Sequence, residues 1–520
     1  MRFFNTTGPI RPKEHFFIPR RLNWDELSEL IERKQYFVLH APRQSGKTTA
    51  IEEYTRHLNK QGIYSALYIN IEPAQAARED VKEALFTIVS EIKTSLCNQL
   101  PDEKTTIQHI EQQLTEPHRV TLNSLIDCLE FWTKASPKPK VLFIDEIDAL
   151  IGDSLLSVLR QIRRGFGRRP EAFPQSLCLI GLRDVRDYRI WSKESGVYVS
   201  AASPFNIKAQ SLSLPNFSLE QVRDLYNQHT QESSQLFEKE AIEYAFYLTQ
   251  GQPWLVNALA NEAVSFLVKD RTKPITKQVL EQAKEILIKR RDTHIDSLLD
   301  KLREERVRPI IDAIIEGHVD VMDFDSNAIQ YVRDLGLIKS NRMEIANPIY
   351  QEIVPRELTA NVSEGVAEKF IIRPGYVNKD GSLNMTVLLE AFSEFYRENA
   401  AIWLEKFDYK ESGPHLLLMA FLQRIINGGG TITREYALGR GRVDLLIKWQ
   451  KQKIVLELKV KRGDITVQEG LDQTARYMDI SQAIEGHLVI FDRDPTKSWQ
   501  QKQHRSKNEH QQHSISIWMM

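Results

Sequence analysis

Residues 35–49 read QYFVLHAPRQSGKTT, and this stretch decides the fold of the first half of the chain. Tyr36 to Leu39 make an apolar, β-like run. A loop ending Ser45-Gly46-Lys47-Thr48-Thr49 follows, and then a helical pattern begins. Strand, loop and helix in that order are what a phosphate-binding loop requires. Successive backbone N–H groups and the positive end of the helix wrap the phosphates. The candidate loop is Ala41, Pro42, Arg43, Gln44, Ser45, Gly46, Lys47, Thr48 and Thr49. Gly46 lets the backbone approach closely, Lys47 neutralises the β- and γ-phosphates, and the Thr48 hydroxyl ligates Mg²⁺. Ala41 stands where such loops usually carry their first glycine, which a negative φ permits.

Further along, VLFIDEIDAL (141–150) reads as a buried parallel strand with two acids at its C-terminal end. Strand ends of that kind face the ligand crevice of open α/β sheets. Asp145 is expected to hold Mg²⁺ through water, and Glu146 to polarise the attacking water as general base. YSALYINI (64–71) and SLCLIGLRD (176–184) read as two more strands. Arg183 sits where a γ-phosphate contact is expected, although pairing with Asp184 or Asp187 explains it equally well. The basic run IRRGFGRRP (162–170) can serve DNA, a neighbouring subunit's nucleotide or simply solvent, and a solvated loop is the favoured expectation.

These features resemble the AAA-like and STAND-like P-loop ATPases. NFSLEQVRDLYNQH (216–229) is similar to their first lid helix. In TQGQPWLVNALANEAV (249–264), Gly251, Pro253, Trp254 and Leu255 match the lid motif that the resemblance implies closes over the nucleotide. Locally the same residues also suit a helix start with proline near its first position. From 292 to 357, helical patterns lead to SNAIQYVRDLGLI and then to strand-like LIKS and MEIAN, an arrangement that looks like a winged helix. Asp323, Asp325 and Asp334 against Arg333 argue against groove reading by that helix, so packing is its expected role.

The composition fits these readings. A chain of 520 residues is too long for one core, and about three or four domains are expected. Apolar residues make up 42% and charged residues 27%, with a formal net charge of −1, so no global field draws the chain to nucleic acid. Cys97, Cys128 and Cys178 have no CxxC spacing, which fits a reducing cytosol and excludes a zinc cluster or disulfide frame. The N-terminus lacks the apolar core of a signal peptide, and no run reaches about 18 apolar residues, so a cytoplasmic location without a membrane span is expected.

The second half turns on RGRVDLLIKWQKQKIVLELKV (440–460). RVDLLIKW and KIVLELKV are strand-like, joined by a tight polar turn at Gln450-Lys451-Gln452. Antiparallel pairing sets Asp444 opposite Glu457 or Lys459, and alternation puts Glu457 and Lys459 on one face. Two converging carboxylates can hold Mg²⁺ or Mn²⁺, with the lysine orienting or deprotonating a water. A cross-strand ion-pair ladder is the plainer alternative. The apolar frame around Glu457 weighs against it, since a charged pair among buried neighbours is costly. VQEGLDQTARYMDI then reads as a helix carrying Gln473 and Tyr477 on one face, and GHLVIF (486–491) as a strand. The tail bears His510 and His513, expected on a solvated helix face.

This order resembles the PD-(D/E)XK nuclease superfamily over about 385–495, in the branch fused behind AAA-like ATPases, where Gly-x-Gly-Arg precedes the aspartate. The resemblance implies Asp444 and Glu457 as metal ligands, Lys459 as catalytic lysine, and Gln473 and Tyr477 as supporting residues. An acid on the first core helix is also implied, for which Glu411 and Glu435 are the candidates. The expected architecture is a multidomain α/β chain: a P-loop NTPase parallel sheet (1–215), a helical lid (216–291), a winged helix (292–357), a linker (358–385) and a restriction-endonuclease-like α/β domain (386–520). The expected function is ATP binding and hydrolysis, with Mg²⁺, regulating a metal-dependent nuclease that acts on DNA or RNA. The alternative is a STAND-like signalling ATPase whose last domain binds nucleic acid or protein without cutting. Nucleic acid is the expected partner, with a homo-oligomer or a partner protein as further candidates.

Overall fold

The computed structural model describes residues 2–520 apart from 116–120, 185–188, 193–196, 201–204, 291–292, 317–323, 355–375, 379, 407–417, 419–420, 423–429, 437–442, 462–464, 493 and 495–496. Two compact units emerge. One comprises Met1–Ile295 with Gln330–Ile338, the other Asp296–Ile329 with Lys339–Met520.

The first unit is built on strands β1 (Tyr36–His40), β2 (Ser65–Asn70), β3 (Lys140–Asp145) and β4 (Ser176–Gly181). A short hairpin of β5 (Arg189–Ser192) and β6 (Val197–Ser200) precedes β7 (Lys208–Ser213). The main sheet has the order β2-β3-β4-β1-β7, and every pairing in it is parallel. The first four strands are apolar on both faces because helices cover both sides. Val38, Ile69, Ile144 and Leu179 face one core, and Leu39, Tyr68, Phe143 and Ile180 face the other. Since all strands run the same way, the loops after β1, β3 and β4 open at one edge, which is where ligands bind in such sheets.

The lid helices Leu219–Ser233, Lys239–Thr249 and Pro253–Asn261 follow. Ser218 and Gln221 form a capping box at the first. Gln252 caps the third, whose first residue is Pro253. Their core includes Val222, Tyr226 and Val256, and also Phe4 and Phe16 from the N-terminal segment. Gly251 closes the lid's entry: its φ is +71°, and its carbonyl accepts the Phe217 N–H at 2.8 Å.

The second unit carries a six-stranded mixed sheet of β8 (Gly430–Tyr436), β9 (Val443–Trp449), β10 (Gln452–Val460), β11 (Glu485–Phe491), β12 (His504–His510) and β13 (His513–Met519), in the order β12-β13-β11-β10-β9-β8. β10 pairs parallel with β11, and the connection between them is the helix Ile465–Ser481. This helix lays Leu471, Ala475 and Met478 against Val455 and Leu488. Gly470 and Gly486 permit that approach, because a Cβ at either would strike Leu488 or Met478.

Three local expectations change. The β9–β10 turn is two residues, Gln450-Lys451, with Gln452 already paired to Trp449; Gln450 takes φ +51°, as such short turns demand. The tail is a hairpin and not a helix. His510 and His513 are its closing pair, bonded to Asp472 at 2.7 Å and Asp479 at 2.8 Å. The strands expected at LIKS and MEIAN shrink to one bridge residue each, Ile338 and Ile345, with the Lys339 N–H bonded to the Glu344 carbonyl at 2.9 Å. Most of the linker, Glu411, the Gly-Arg-Gly-Arg run and most of the second apolar helix lie outside the described residues.

Gly251→Ala combines a positive-φ penalty with a clash on the Phe217 carbonyl. It is expected to destabilise the first unit by more than about 1 kcal/mol, read as a lower denaturant midpoint; an unchanged midpoint would contradict this.

Candidate functional site

The loop after β1 is a cradle in the geometric sense. Gly46 has φ +89° and Gln44 +55°, whereas Ala41 is not among the positive-φ residues, so the missing glycine costs nothing here. Gly46 caps the helix Lys47–Gln61. The Lys47 ammonium is buried, and that burial lowers its pKa; it donates to the carbonyls of Ala41 at 2.7 Å and Pro42 at 3.1 Å. The Ser45 hydroxyl, also buried, has no hydrogen-bond partner. A cation folded back on loop carbonyls and an unsatisfied hydroxyl beside it fit an incoming phosphate.

Asp145 ends β3 fully buried. Its Oδ2 accepts the Thr48 hydroxyl at 2.7 Å and the Tyr68 phenol at 2.8 Å, and its Oδ1 accepts the Glu146 N–H at 2.8 Å. The structure thus joins Thr48 to Asp145. Sequence reading missed Tyr68, which looks like one more aromatic in an apolar strand; burial raises its pKa strongly, so it stays a donor. A hydroxyl and a carboxylate in contact, next to the phosphate cradle, are oxygen ligands suited to Mg²⁺. Glu146 sits in the left-handed region at φ +59°, a strained position for a non-glycine residue. Burial first, and then the neighbouring Asp145 charge, raise its pKa. Asp148 accepts the Leu182 N–H and so ties this turn to the end of β4. There Arg183 lies 5.3 Å over the Tyr331 ring, and Asp184 pairs with Lys208.

The basic run is partly solvated, with Arg163, Arg164 and Arg168 exposed. It finishes the helix Gly152–Phe166, Arg168 pairs with Glu130, and Arg169 stacks 3.4 Å over Phe166 while bonding the Lys34 carbonyl.

Sequence reading also missed a cavity between the N-terminal segment, the phosphate cradle and the lid, lined by Thr7, Ile18, Gly46, Thr49, Pro253 and Asn257 among others. Arg21 crosses its wall, donating to the carbonyls of Ser45 and Pro215 and lying 4.6 Å over Phe217. Burial pulls its pKa down to about 10, so it remains charged near neutrality.

In the second unit, register places Asp444 directly opposite Glu457 and, on its other side, opposite Glu435. Glu457 is fully buried and Lys459 nearly so, with the lysine ammonium against the Glu457 carboxylate and donating to Gln473. Helix Ile465–Ser481 therefore delivers Gln473 to the hairpin, while Tyr477 packs into the core between helix and sheet. Among the described residues, no three His, Cys, Asp or Glu side chains cluster as a metal site, and no helix is long and apolar enough to cross a membrane.

A parallel sheet with a phosphate cradle after its β1 strand and an acid pair after β3 defines a P-loop ATPase fold. The AAA-like domain family matches residues 5–353, so the chain belongs to that family, and the endonuclease NucS C-terminal domain matches residues 411–487. The chain is thus an ATPase-like domain fused to a nuclease-like domain. No curated protein matches. Similar solved structures include a Walker-type ATPase of Pyrococcus abyssi, at 15% identity over 68% of this chain and 99% of that one (TM-score 0.47). The Holliday junction branch migration motor RuvB of Thermotoga maritima is 14% identical over 63% and 91% (TM-score 0.33). Cdc6p from Pyrobaculum aerophilum is 13% identical over 66% and 88% (TM-score 0.35).

Removing one partner of a buried ion pair strands the other charge. Lys459→Met alone is expected to destabilise the second unit by about 3–5 kcal/mol, and Lys459→Met with Glu457→Leu by much less. Equal losses by chemical denaturation would contradict a coupled pair.

Proposed function

We propose that the chain binds and hydrolyses ATP, and that its nucleotide state regulates a C-terminal metal-dependent nuclease acting on DNA or RNA phosphodiesters. The observation that most supports the nuclease half is the buried Glu457–Lys459 pair on β10, contacted by Gln473 and facing Asp444 in register. The ATPase half is supported by Lys47, Thr48 and Asp145 gathered at one sheet edge.

In the first site, Lys47 would exchange the Ala41 and Pro42 carbonyls for phosphate oxygens, and Thr48 directly and Asp145 through water would hold Mg²⁺. Glu146, with its raised pKa, takes a proton from the attacking water. Arg183 is the candidate γ-phosphate contact. In the second site, Asp444 and Glu457 would hold Mg²⁺ or Mn²⁺. The metal, when bound, supplies an activated water and neutralises charge at the phosphodiester. Lys459 orients or deprotonates the water, Gln473 fixes Lys459, and Tyr477 braces the helix that carries Gln473. Nucleic acid is the partner this chemistry requires.

The direct test is incubation with Mg²⁺ or Mn²⁺ and plasmid, linear DNA and RNA, with and without ATP. Cleavage is expected, changed by ATP and lowered at least about a hundredfold by Glu457→Ala. A wild type that cuts nothing, or a Glu457→Ala variant that cuts as well, overturns the nuclease reading and leaves a non-cleaving ATPase. Lys47→Ala should lower ATP turnover by a similar factor, and undiminished turnover would remove the assignment of the cradle.

The raised pKa of Glu146 carries a pH signature. Below that pKa the carboxyl is protonated and cannot act as base, so ATPase activity rises with pH through it. The acid limb of kcat/KM, which reports the free enzyme, is expected above the ordinary glutamate value of about 4.3. A limb at or below that value would contradict the role.

A further inference from the structure

We infer that Asn257 selects the base of the bound nucleotide, accepting a hydrogen bond from the exocyclic amine of adenine. This rests on the nucleotide reading of the cradle and extends it to the other end of the ligand.

The cavity beside the cradle is half open to solvent and has a volume of about 120 Å³. Gly46 and Thr49 line it at the phosphate end, and Pro253 and Asn257 line it at the lid end. A ligand whose phosphates lie in the cradle therefore extends its sugar and base toward the first helical turn of the Pro253–Asn261 helix.

Asn257 is 6% exposed, and its Nδ2 donates to the Pro253 carbonyl at 2.8 Å. That bond fixes the amide orientation, because the flipped amide would set its oxygen against the carbonyl oxygen. Oδ1 is left as a buried acceptor without a hydrogen-bond partner. A buried acceptor in that state is costly, and the cost is relieved when a ligand donor enters. Asn5, another amide in this wall, differs: it donates to the Gly8 carbonyl and accepts the Thr7 N–H within its own turn. An orphan acceptor on a residue of the cavity wall calls for a donor on the ligand. Adenine presents an amine at its 6-position, where guanine presents a carbonyl oxygen that Oδ1 would repel.

The test measures the affinity of the full-length protein for ATP, GTP and purine riboside triphosphate, which lacks the 6-amine. The wild type is expected to bind ATP about tenfold more tightly than the amine-free analogue, the scale of one buried hydrogen bond, and GTP more weakly still. Asn257→Ala is expected to bind ATP and the analogue alike, at the analogue's wild-type affinity. Equal wild-type affinity for ATP and the analogue overturns the inference with no variant needed. An Asn257→Ala variant that weakens both ligands by the same factor also overturns it, since that is a packing effect. If the wild type binds ATP, GTP and the analogue equally, the cradle reading survives and base selection fails. If it binds none, both fall.

Discussion

The arrangement of the first unit hangs on one buried carboxylate. Asp145 ends a strand in which the four residues before it are apolar, and three groups from three places in the chain satisfy its oxygens. Thr48 brings the start of the helix after the phosphate loop, Tyr68 brings the adjacent strand β2, and the Glu146 N–H fixes the turn that follows. A charge at that depth is tolerable only when it is fully hydrogen-bonded. Meeting this requirement registers β2, β3 and the loop after β1 at a single sheet edge. Asp148, bonded to the Leu182 N–H, carries the same constraint on to the end of β4 and thus to Arg183.

The second unit solves a similar problem differently. Glu457 and Lys459 lie on a central strand between β9 and β11, and both are buried. Each is the other's counter-charge, and Gln473 reaches in from the crossover helix to accept a hydrogen bond from the lysine ammonium. The glycines at 470 and 486 let that helix sit close enough. A buried carboxylate–ammonium pair recovers its desolvation cost only in part and adds little to stability, so its presence in a core supports a chemical role for the pair.

The parts legible in the sequence were those with a local physical signature. Four strands of the first sheet are apolar on both faces and stand out as such, and Gly46-Lys47-Thr48 follows one of them directly. Counting back across a short turn brings Asp444 opposite Glu457 or Lys459, and the two-residue turn of the structure selects Glu457. What escaped depends on distant partners or lacks a pattern. Phe4 and Phe16 join the lid core from the opposite end of the domain's sequence, and nothing near them announces it. Arg21 and Tyr68 acquire their significance only through the groups they meet in space. His510 is expected on a helix face because strand β12 lies at the sheet edge, exposed along nearly its whole length, and so carries no alternation of apolar and polar residues. β13 does alternate, in HSISIWM, but it is too short to decide the tail alone.

The role of Asp145 is open to one direct measurement: the Mg²⁺ dependence of ATP binding to the wild type and to Asp145→Asn by titration calorimetry. The account predicts that the wild type binds ATP more tightly as Mg²⁺ is added. The variant should keep the Mg²⁺-free affinity, which the loop and Lys47 supply, and lose the Mg²⁺-dependent gain. A variant that responds to Mg²⁺ as the wild type does would contradict the place given to this carboxylate.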